Sequence, residues 1–589
     1  MTLVEGDSKI GNKIGSTGVA AAGALAAAAA ARALEQPAFI TVLTDKQIED
    51  FAGTASTDGA LSGMAFAIKD NIDLAGVPTT AANPARSALA QASAPVVRRL
   101  IAAGAVPVAK TNLDQYATGL VGTRSPYGAC HSVFSADHVS GGSSSGSAIA
   151  VASGIVSFAL GTDTAGSGRV PAAFNELVGL KPTKGLLSAT GVVPACRSLD
   201  CVTVLTRSVA LARELFAVAA AFDPSDPYAR PKPLAQGTLD RRPVIGIPAG
   251  DLGLDPAHED AWRRACEHAG ELFTLVAFDV QPFLDAAKLL YSGPWVAERA
   301  VAFGAELTDS SQIDPTVRGI VSGAAVISAT DAFRGMYRLA ELKRATDPTW
   351  AQVDAIFLPV TPGHPTLAEV AADPVGVNSR LGRFTNMTNL LDLAALAVPA
   401  DRRADGLPFG VQFLGPAFSD ELLLDLGSMW LGESTDDVHA DAERDANDRV
   451  LIAVAGAHLT GQPLNADLVA RGGRFVESTR TGPEYRMFEV RGAVRRPGLT
   501  QLPVAAGSTA TDAASAMGIE VELWSLPSAS VAGFIGTVAP PLAIGPMTLA
   551  DGRGVLGFVC TADGVDPERD ITAFGGWRAY LAQGPTADR

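Results

Sequence analysis

Two segments rich in glycine and serine, residues 140–147 and 161–169, carry the residue types best suited to acyl-transfer chemistry. Glycines allow several backbone N–H groups to converge on one point, where they can stabilise a developing oxyanion. Serine hydroxyls in the same segments supply nucleophiles. The alternatives are flexible loops and phosphate-binding turns. Neither segment contains the G-x-x-x-x-G-K-[ST] pattern, so a P-loop is excluded.

A serine hydroxyl needs a base to become a good nucleophile, and Lys69 is the candidate. It ends the apolar run of residues 64–68 and precedes Asp70. A lysine at the end of a buried strand is desolvated, which lowers its pKa toward neutrality, so it can accept a proton at physiological pH. The alternative is a structural lysine that forms a salt bridge with Asp70.

A second interpretation of the serine-rich segment is a nucleophile elbow. Residues 142–146 match G-x-S-x-G with Ser144 at the centre. An elbow needs a preceding strand and a later acid and histidine. The preceding residues, 134–140, are polar and are not a convincing strand. Because the pattern also arises by chance in any run of glycine and serine, the lysine-based interpretation is preferred.

The elements around these segments indicate an α/β fold. Between about residues 60 and 200, short β-rich runs alternate with alanine-rich helical stretches. A helix-rich segment with proline and glycine breaks follows at about 255–350. Buried strands are expected at 356–360 and 407–414. We expect this first domain to span residues 1–431.

The composition changes after Trp430. Residues 432–449 are acidic and weakly apolar, which predicts a linker. Turn-rich sequence with short β-rich runs follows, so residues 450–589 are expected to form a smaller second domain. The expected strands lie at 450–455, 485–490, 519–523 and 554–560.

The charge of the chain limits its partners. The formal net charge is −16, which repels phosphate groups, so we expect no direct binding to nucleic acid or to an anionic membrane surface. The alanine-rich run of residues 19–31 resembles a signal peptide but is better explained as a surface helix, because alanine is a strong helix former. Since no apolar run is long enough to span a bilayer, no membrane segment is expected.

The five cysteines fit a reducing compartment, and we expect a cytoplasmic protein. Cys196 and Cys201 could be half of a metal site, but no second ligand pair follows them. The chain has no His/Glu cluster with ligand spacing. We therefore expect no metal and no cofactor.

Several motifs resemble the amidase signature family across about residues 60–420. They stand at 67–71, 141–144, 161–164, 170–174 and 178–183. The resemblance implies an α/β/α sandwich around a mixed sheet. It also implies a Ser-Ser-Lys triad, with Lys69 as base, Ser143 as relay and Ser167 as nucleophile. The implied oxyanion hole consists of the backbone N–H groups of residues 164–167, namely Thr164, Ala165, Gly166 and Ser167.

Three further segments resemble the allophanate hydrolase branch of that family, at 112–128, 193–201 and 291–299. In that branch a tyrosine and an arginine hold the substrate carboxylate, which implies this role for Tyr291 and Arg299. Gly122 is assigned to the same substrate site. A guanidinium pairs well with a carboxylate. The alternative for Arg299 is an ordinary surface arginine beside Glu298.

The second domain resembles the corresponding domain of full-length allophanate hydrolases. Its motifs at 454–465 and 520–527 imply an α+β fold similar to γ-glutamylcyclotransferases. The resemblance implies that His458 assists decarboxylation of the reaction intermediate. Two alternatives stay open: a structural histidine, and a non-catalytic module for dimerisation or partner binding.

Together the resemblances imply hydrolysis of allophanate to ammonia and carbon dioxide, in functional connection with urea carboxylase. A homodimer is expected. One alternative is another amidase of a small carboxylated amide, with a non-catalytic second domain. Another is a glutaminase-like subunit of tRNA amidotransferase, which the second domain, the Tyr291/Arg299 pair and the acidic charge disfavour.

Overall fold

The computed structural model describes residues 8–233, 241–308, 312–433, 449–471, 473–490, 495–501, 518–561 and 564–582. The chain divides into two compact units, Met1–Thr435 and Asp436–Arg589. Most of the expected linker, residues 434–448, lies outside the described residues, so the exact domain boundaries stay a prediction. In the described ranges no helix is both long and apolar enough to cross a membrane.

The strands of the first unit are short, and those at its centre are buried along their whole length. They are β1 Phe39–Val42, β2 Ala65–Lys69, β3 Val106–Thr111, β4 His131–Ser132, β5 Ser135–Val139, β6 Phe158–Asp163, β7 Val178–Lys181, β8 Cys201–Thr206, β9 Val244–Pro248, β10 Thr274–Phe278, β11 Ala355–Pro359, β12 Leu393–Ala400 and β13 Phe409–Pro416.

Helices connect many of the strands of this unit, and in two places several helices follow one another without a strand between them. The helices are α1 Ser8–Ala33, α2 Asp45–Thr54, α3 Pro95–Ala102, α4 Ser145–Ala152, α5 Arg169–Phe174, α6 Val209–Ala219, α7 Pro256–Leu272, α8 Gln281–Ser292, α9 Trp295–Phe303, α10 Pro315–Ser322, α11 Ala329–Trp350, α12 Leu367–Ala372, α13 Gly376–Leu381, α14 Met387–Leu390 and α15 Asp420–Leu431. The described residues also form short 3-10 turns at Gln115–Ala117, Gly304–Thr308, Gly323–Val326 and Gly382–Phe384.

Among the described residues, eleven strands form one mixed sheet in the order β1-β3-β2-β6-β8-β7-β12-β13-β11-β9-β10. The pairs β2/β3 and β2/β6 are parallel, whereas β6/β8 and β12/β13 are antiparallel. Every residue of β2, β3, β6 and β8 is buried, which requires cover on both faces of the sheet. The predicted α/β sandwich with a mixed sheet is therefore confirmed.

The structure corrects one local expectation. Residues 134–140 were not expected to form a strand, but Ser135–Val139 is β5, which pairs with β4 in a two-stranded ribbon. The residues of β5 are mostly polar, so the sequence does not show the apolar pattern that predicts a buried strand. The expected N-terminal helix is confirmed as α1, which packs alanines of one face, including Ala24 and Ala28, into the core.

The second unit is a smaller α+β domain, as predicted. Its described strands are β14 Arg449–Val454, β15 Arg474–Arg480, β16 Tyr485–Val490, β17 Arg496–Gln501, β18 Glu520–Pro527, β19 Leu542–Thr548 and β20 Gly554–Cys560. Five of them form a sheet in the order β15-β18-β14-β20-β19, and β16 pairs with β17. Its described helices are α16 Asn465–Ala470, α17 Ser528–Ile535 and α18 Trp577–Ala582, with 3-10 turns at Pro567–Arg569 and Thr572–Phe574.

Candidate active site

Lys69 lies at the carboxyl end of β2, inside the sheet. Its side chain is 0% exposed. The amine Nζ donates hydrogen bonds to Ser143 Oγ at 2.7 Å and to Thr162 Oγ1 at 2.8 Å. Strand β6 carries Thr162 and pairs in parallel with β2, so the sheet itself positions this contact. The predicted base and the predicted relay serine are therefore in direct contact.

Asp70 does not neutralise Lys69. The next residue along an extended chain points to the opposite side, and Asp70 lies 3.1 Å from Nζ of Lys110 in a buried ion pair. Its carboxylate also accepts a hydrogen bond from the backbone N–H of Thr80 at 3.0 Å. The alternative of a salt bridge between Lys69 and Asp70 is therefore wrong.

The surroundings of Lys69 favour its neutral form. Burial lowers the pKa of the amine from 10.5 to about 7, against the opposing influence of the carboxylates of Asp114, Asp163 and Asp200. Desolvation is the larger effect because the charged amine loses its hydration. An amine with this pKa can exchange protons near neutral pH.

Ser143 follows a cis peptide bond from Gly142. Its carbonyl accepts a hydrogen bond from the N–H of Asp114 at 3.2 Å. The neighbouring Ser144 has a bracing role: its Oγ donates to the carbonyl of Thr162 at 3.2 Å and accepts from the N–H of Thr162 at 3.3 Å. Because these contacts occupy Ser144 and include no histidine, the elbow interpretation does not fit this geometry.

Ser167 lies in the turn between β6 and α5. Its carbonyl accepts a hydrogen bond from the N–H of Ser144 at 3.2 Å, so the two serine-rich segments are joined through their backbones. Its hydroxyl donates to the carbonyl of Gly119 at 3.4 Å. Ser167 is thus adjacent to the segment that contains Ser143, with its hydroxyl turned toward Gly119.

The carboxylate of Asp163 holds the turn that contains Ser167. It accepts hydrogen bonds from the N–H groups of Gly166 at 2.7 Å and Gly168 at 3.2 Å, and it pairs with Arg169 at 2.9 Å. Burial alone would raise the pKa of Asp163, but Arg169, Lys181 and the N–H of Gly166 together outweigh that effect and lower it. Asp163 is therefore a carboxylate that fixes the turn.

The hydrogen bonds to Asp163 distinguish one of the four backbone N–H groups that were expected to form the oxyanion hole. The N–H of Gly166 is already occupied by Asp163, so the expectation for Gly166 as a free donor does not fit. Within the described ranges, the N–H groups of Thr164, Ala165 and Ser167 have no protein acceptor. All three residues are buried, and buried backbone donors are rarely left unpaired. These three N–H groups can bind a substrate oxygen.

Arg299 is a buried cation. Its side chain lies in α9, the residue is 1% exposed, and its guanidinium donates to Thr118 Oγ1 at 2.9 Å. The ring of half-buried Tyr291 lies 5.5 Å away, within cation–π distance. Among the described residues the guanidinium has no carboxylate within ion-pair distance, and its Nε has no hydrogen-bond partner. Asp200 and Glu298 lie close enough to help raise the pKa of Arg299, together with Cys196 and Tyr291 and against the effect of burial. Both oxygens of Glu298 instead accept from Ser198, which removes the alternative of a surface Arg–Glu pair.

Two consecutive residues join the cation to the serine. Thr118 contacts Arg299 through its hydroxyl, and Gly119 contacts Ser167 through its carbonyl. Consecutive Cα atoms are about 3.8 Å apart. The guanidinium of Arg299 and the hydroxyl of Ser167 are therefore close enough for one small molecule to contact both.

Gly122 has a framework role in this geometry. Its N–H donates to Asp114 at 3.0 Å, and its carbonyl accepts from the N–H of Cys130 at 3.1 Å. Both polar groups are used within the protein. The N–H is therefore not available to a substrate, and the assignment of Gly122 to the substrate site stays a prediction.

A cavity of about 630 Å³ lies beside this site. Its walls include Tyr291, three arginines and one carboxylate, Asp331, which pairs with Arg334 at 3.3 Å; the other two arginines are Arg124 and Arg338. Arg124 also donates to the carbonyl of Thr118 at 2.9 Å, which connects the cavity to the residue that contacts Arg299. The cavity thus offers positive charge next to the buried guanidinium.

Cys196 and Cys201 do not face a common centre. The thiol of Cys196 donates to the carbonyl of Trp295 at 3.5 Å, whereas Cys201 lies 3.6 Å from Nζ of Lys181. The described residues contain no group of three or more His, Cys, Asp or Glu side chains arranged to hold a metal ion.

His458 belongs to the second unit and is half-buried. Its ring stacks on Phe558 at 5.1 Å and meets Phe534 edge-on at 5.2 Å. Burial lowers its pKa, and the nearby Asp467 opposes that effect only in part. The imidazole is therefore neutral at physiological pH.

Sequence reasoning missed the residues that support the site. Asp163 and Thr162 lie inside the quoted motif at 161–164 but were given no role, and Thr118 and Asp200 were not selected. Polar residues at the end of a buried strand, such as Thr162 and Asp163, are a usable signal because they need partners. Thr118 has no such signal, since it is 181 positions from Arg299.

Comparison with known proteins agrees with this organisation. Residues 25–424 match the model of the amidase family, and residues 450–582 match that of the allophanate hydrolase C-terminal domain. A solved structure of Kluyveromyces lactis allophanate hydrolase is 38% identical, with a TM-score of 0.66, and covers 93% of this chain and 94% of that chain.

Two curated relatives differ in extent. The urea amidolyase of Lachancea kluyveri is 43% identical over 554 residues, a match that covers 88% of this chain but only 30% of that relative. A glutamyl-tRNA(Gln) amidotransferase subunit of Halobacterium salinarum is 34% identical over 421 residues, which covers 63% of this chain and 95% of that relative. The chain therefore belongs to the amidase family, as a hydrolase of amides in which an allophanate hydrolase C-terminal domain follows the amidase domain.

Proposed function

We propose that this enzyme hydrolyses allophanate, a small amide that carries one carboxylate. The observation that carries the proposal is the buried guanidinium of Arg299, which has no carboxylate of the described residues within ion-pair distance, although Asp200 and Glu298 influence its pKa. The guanidinium contacts Thr118, and the next residue, Gly119, contacts the hydroxyl of Ser167. A buried cation without a counter-ion is costly unless a ligand supplies the charge. A substrate carboxylate meets that need.

The reaction begins with proton transfer. The hydroxyl of Ser167 turns from the carbonyl of Gly119 toward Ser143. Neutral Lys69 accepts the proton of the Ser143 hydroxyl, and Ser143 accepts the proton of the Ser167 hydroxyl. The Ser167 oxygen attacks the terminal amide carbonyl of allophanate, and three N–H groups, from Thr164, Ala165 and Ser167, stabilise the oxyanion. The proton held by Lys69 returns to the leaving nitrogen, and ammonia departs.

Hydrolysis completes the cycle. Water loses a proton through Ser143 to Lys69 and attacks the acyl-enzyme. The bond to Ser167 breaks, and the proton returns along the same path to the Ser167 oxygen. The product is an N-carboxylated carbamate, which loses carbon dioxide to give carbamate. Carbamate then yields the second ammonia and the second carbon dioxide. The chain's own residues supply every acid and base needed for the amide cleavage.

Tyr291 and Arg299 hold the carboxylate of the substrate in this proposal. The guanidinium offers a planar donor pair, and the tyrosine ring covers it at 5.5 Å. Arginines in the adjacent cavity add positive charge on the approach, which matters because the chain as a whole carries a net charge of −16.

We assign decarboxylation of the intermediate to the second domain, residues 450–589, with His458 as its candidate residue. Because burial lowers its pKa, the imidazole is neutral and has a ring nitrogen that can accept a proton, which supports the assignment. The alternative is a non-catalytic domain for dimerisation. The timing of carbon dioxide release distinguishes the two.

The proposal extends to the setting of the enzyme. Its substrate is the product of an ATP-dependent carboxylation of urea, so we propose a functional connection with urea carboxylase. We also propose a cytoplasmic homodimer. All five cysteines lie in described parts of the chain and none forms a disulfide, which supports a reducing compartment. The mass of the protein in solution tests the dimer.

One experiment tests the proposed function. Purified protein is offered allophanate, biuret, malonamate and glutamine, and ammonia release is measured for each. We expect allophanate to give the highest kcat/KM, followed by malonamate, which places its carboxylate at the same distance. Efficient release from glutamine with none from allophanate would overturn the proposal in favour of a glutaminase.

A further inference from the structure

One short segment, residues 195–200, connects helix α9, which carries Arg299, to the turn that carries the oxyanion amides. We call this segment the bridging turn. It lies immediately before β8. The N–H groups of Leu199 and Asp200 donate to the carbonyl of Cys196 at 2.8 and 2.9 Å, which closes the turn. These two bonds hold both ends of the turn close together.

One end of the bridging turn is attached to helix α9. Both oxygens of Glu298 accept hydrogen bonds from Ser198, one from its N–H at 2.7 Å and one from its hydroxyl at 2.8 Å. The thiol of Cys196 donates to the carbonyl of Trp295 at 3.5 Å. These contacts fix the helix turn that carries Arg299, because Glu298 immediately precedes it.

The other end is attached to the turn that contains Ser167. The carboxylate of Asp200 accepts from the hydroxyl of Thr164 and from the N–H groups of Ala195 at 2.9 Å and Cys196 at 3.2 Å. Asn389 adds a second connection, since its amide donates to the carbonyls of Leu199 and Asp163, both at 2.7 Å.

We infer that the bridging turn fixes the distance between the Arg299 guanidinium and the oxyanion amides, with Glu298 and Asp200 as positioning residues. This distance selects substrates whose carboxylate is separated from the scissile carbonyl by one atom. The inference rests on the proposed function, in which Arg299 binds the substrate carboxylate. A fixed distance discriminates by length because misplacement by about 1 Å costs a large part of the rate.

The test compares two amides that differ by one methylene, malonamate and succinamate. For the wild-type chain we expect kcat/KM for malonamate to exceed that for succinamate by about 10-fold or more. Glu298→Ala removes both acceptors of Ser198, so we expect the ratio to fall to within about 3-fold as the distance becomes less well defined. The inference requires that Glu298→Ala lowers kcat/KM for malonamate more than it lowers kcat/KM for succinamate.

The conservative variant separates positioning from charge. In Glu298→Gln the carboxamide oxygen still accepts from the N–H of Ser198, and its NH₂ group donates to the hydroxyl, which reverses its role. We expect this variant to keep the wild-type ratio. Glu49→Ala, which removes the same charge from an exposed position on α2, is the control and should leave the ratio unchanged.

Each outcome decides the matter. Equal losses on both amides in Glu298→Ala, or a Glu298→Gln variant as impaired as Glu298→Ala, would overturn the inference. If Glu298→Ala does not fold, Ser198→Ala, which keeps the backbone contact, must show the same shift in the ratio, and an unchanged ratio overturns it. A wild-type chain that cleaves neither amide, or both equally, also overturns it.

Failure of the proposed function gives a different pattern. A wild-type chain that does not hydrolyse allophanate, yet prefers malonamate to succinamate, would refute that function and leave the role of the bridging turn intact. A chain that hydrolyses allophanate without any preference between the two amides would refute the role of the turn alone.

Discussion

The amine of Lys69 illustrates how one side chain is set for its work by competing influences. Three carboxylates nearby favour the charged form, yet burial is stronger and brings the pKa to about 7. The site therefore needs no histidine. The two hydroxyls that accept from Lys69, on Ser143 and Thr162, are uncharged and do not restore the cation.

The first prediction concerns pH. Only neutral Lys69 accepts a proton, so kcat/KM should rise as pH increases through about 7 and should fall about tenfold per unit below that value. Lys69→Ala and Lys69→Arg should both be nearly inactive, because a guanidinium does not lose its proton. Initial rates between pH 5 and 9 check the profile. An active arginine variant would exclude the role of base.

The second prediction concerns the nucleophile. Ser167→Ala should abolish the acyl-enzyme and leave only the residual rate from the oxyanion site and binding. Ser145→Ala is a suitable control, since that hydroxyl makes a long hydrogen bond, 3.4 Å to the carbonyl of Asn112, and its other contact is with the thiol of Cys130. Single-turnover measurements with mass spectrometry would detect the acyl-enzyme. Ammonia release by Ser167→Ala within a few-fold of wild type contradicts the assignment.

The third prediction concerns the carboxylate. Arg299→Ala removes the buried cation, so transition-state binding of allophanate should weaken by about 2–4 kcal/mol. Neutral malonamide should lose less, because it has no charge to pair. Arg299→Lys keeps the charge without the planar donor pair and should be intermediate. Comparing kcat/KM on the two amides measures the difference, and equal losses would make Arg299 a structural residue.

At the scale of elements, the turn between β6 and α5 is fixed mainly by its own backbone and by Asp163. Gly166 has a φ of +124°, and a Cβ there would lie 2.3 Å from Oγ1 of Thr385. That hydroxyl donates to the carbonyl of Ala165 at 2.6 Å, so it cannot move without loosening the turn. Glycine is required at this position by conformation and by space.

The fourth prediction follows from that geometry. Gly166→Ala should destabilise the fold by about 1–3 kcal/mol and should greatly reduce kcat, because the free amides on either side would shift. Gly63→Ala is the control: φ is also positive, at +77°, but nothing lies within 4 Å of the added Cβ. Thermal unfolding and initial rates compare the two variants. Similar behaviour of both would show that the contact with Thr385 is unimportant.

Much at this scale could be predicted from sequence, since local patterns determine it. The apolar run before Lys69 predicted β2, and glycine-rich motifs predicted the turn with Ser167. The order of strands in the sheet could not be predicted, because it depends on packing between distant segments. Nor could the use of the Gly166 amide, which depends on where the Asp163 carboxylate points. Strand β5 was missed because it has no apolar face.

At the scale of the whole molecule, the proposed chemistry is divided between two units. The residues proposed for amide cleavage all belong to the first unit, Met1–Thr435, and His458 belongs to the second. Glu433, expected to be part of the linker, caps helix α6 by accepting from the N–H groups of Val209 and Ala210 at 2.9 and 2.8 Å. The first unit therefore includes this residue.

The fifth prediction tests that division. A chain that ends at Thr435 retains the Glu433 cap and should release the first ammonia from allophanate at close to the wild-type rate. Its carbon dioxide should appear later if the second domain speeds decarboxylation, and His458→Ala in the full chain should show the same delay. Rapid mixing with both products followed in parallel measures this. Wild-type release of carbon dioxide by both variants would favour the dimerisation role.

The opposite directions of Lys69 and Asp70 have a consequence for which mutations this protein tolerates. Strand β2 pairs with β6 in one regular register, and one irregularity separates Phe66 from Ala67 where it pairs with β3. Loss of a single codon upstream in this strand would advance every later residue by one place. A carboxylate would then occupy the place of the amine beside Ser143. We therefore expect this strand to tolerate a substitution better than the deletion of one residue, because the deletion places an acid in the position of the base.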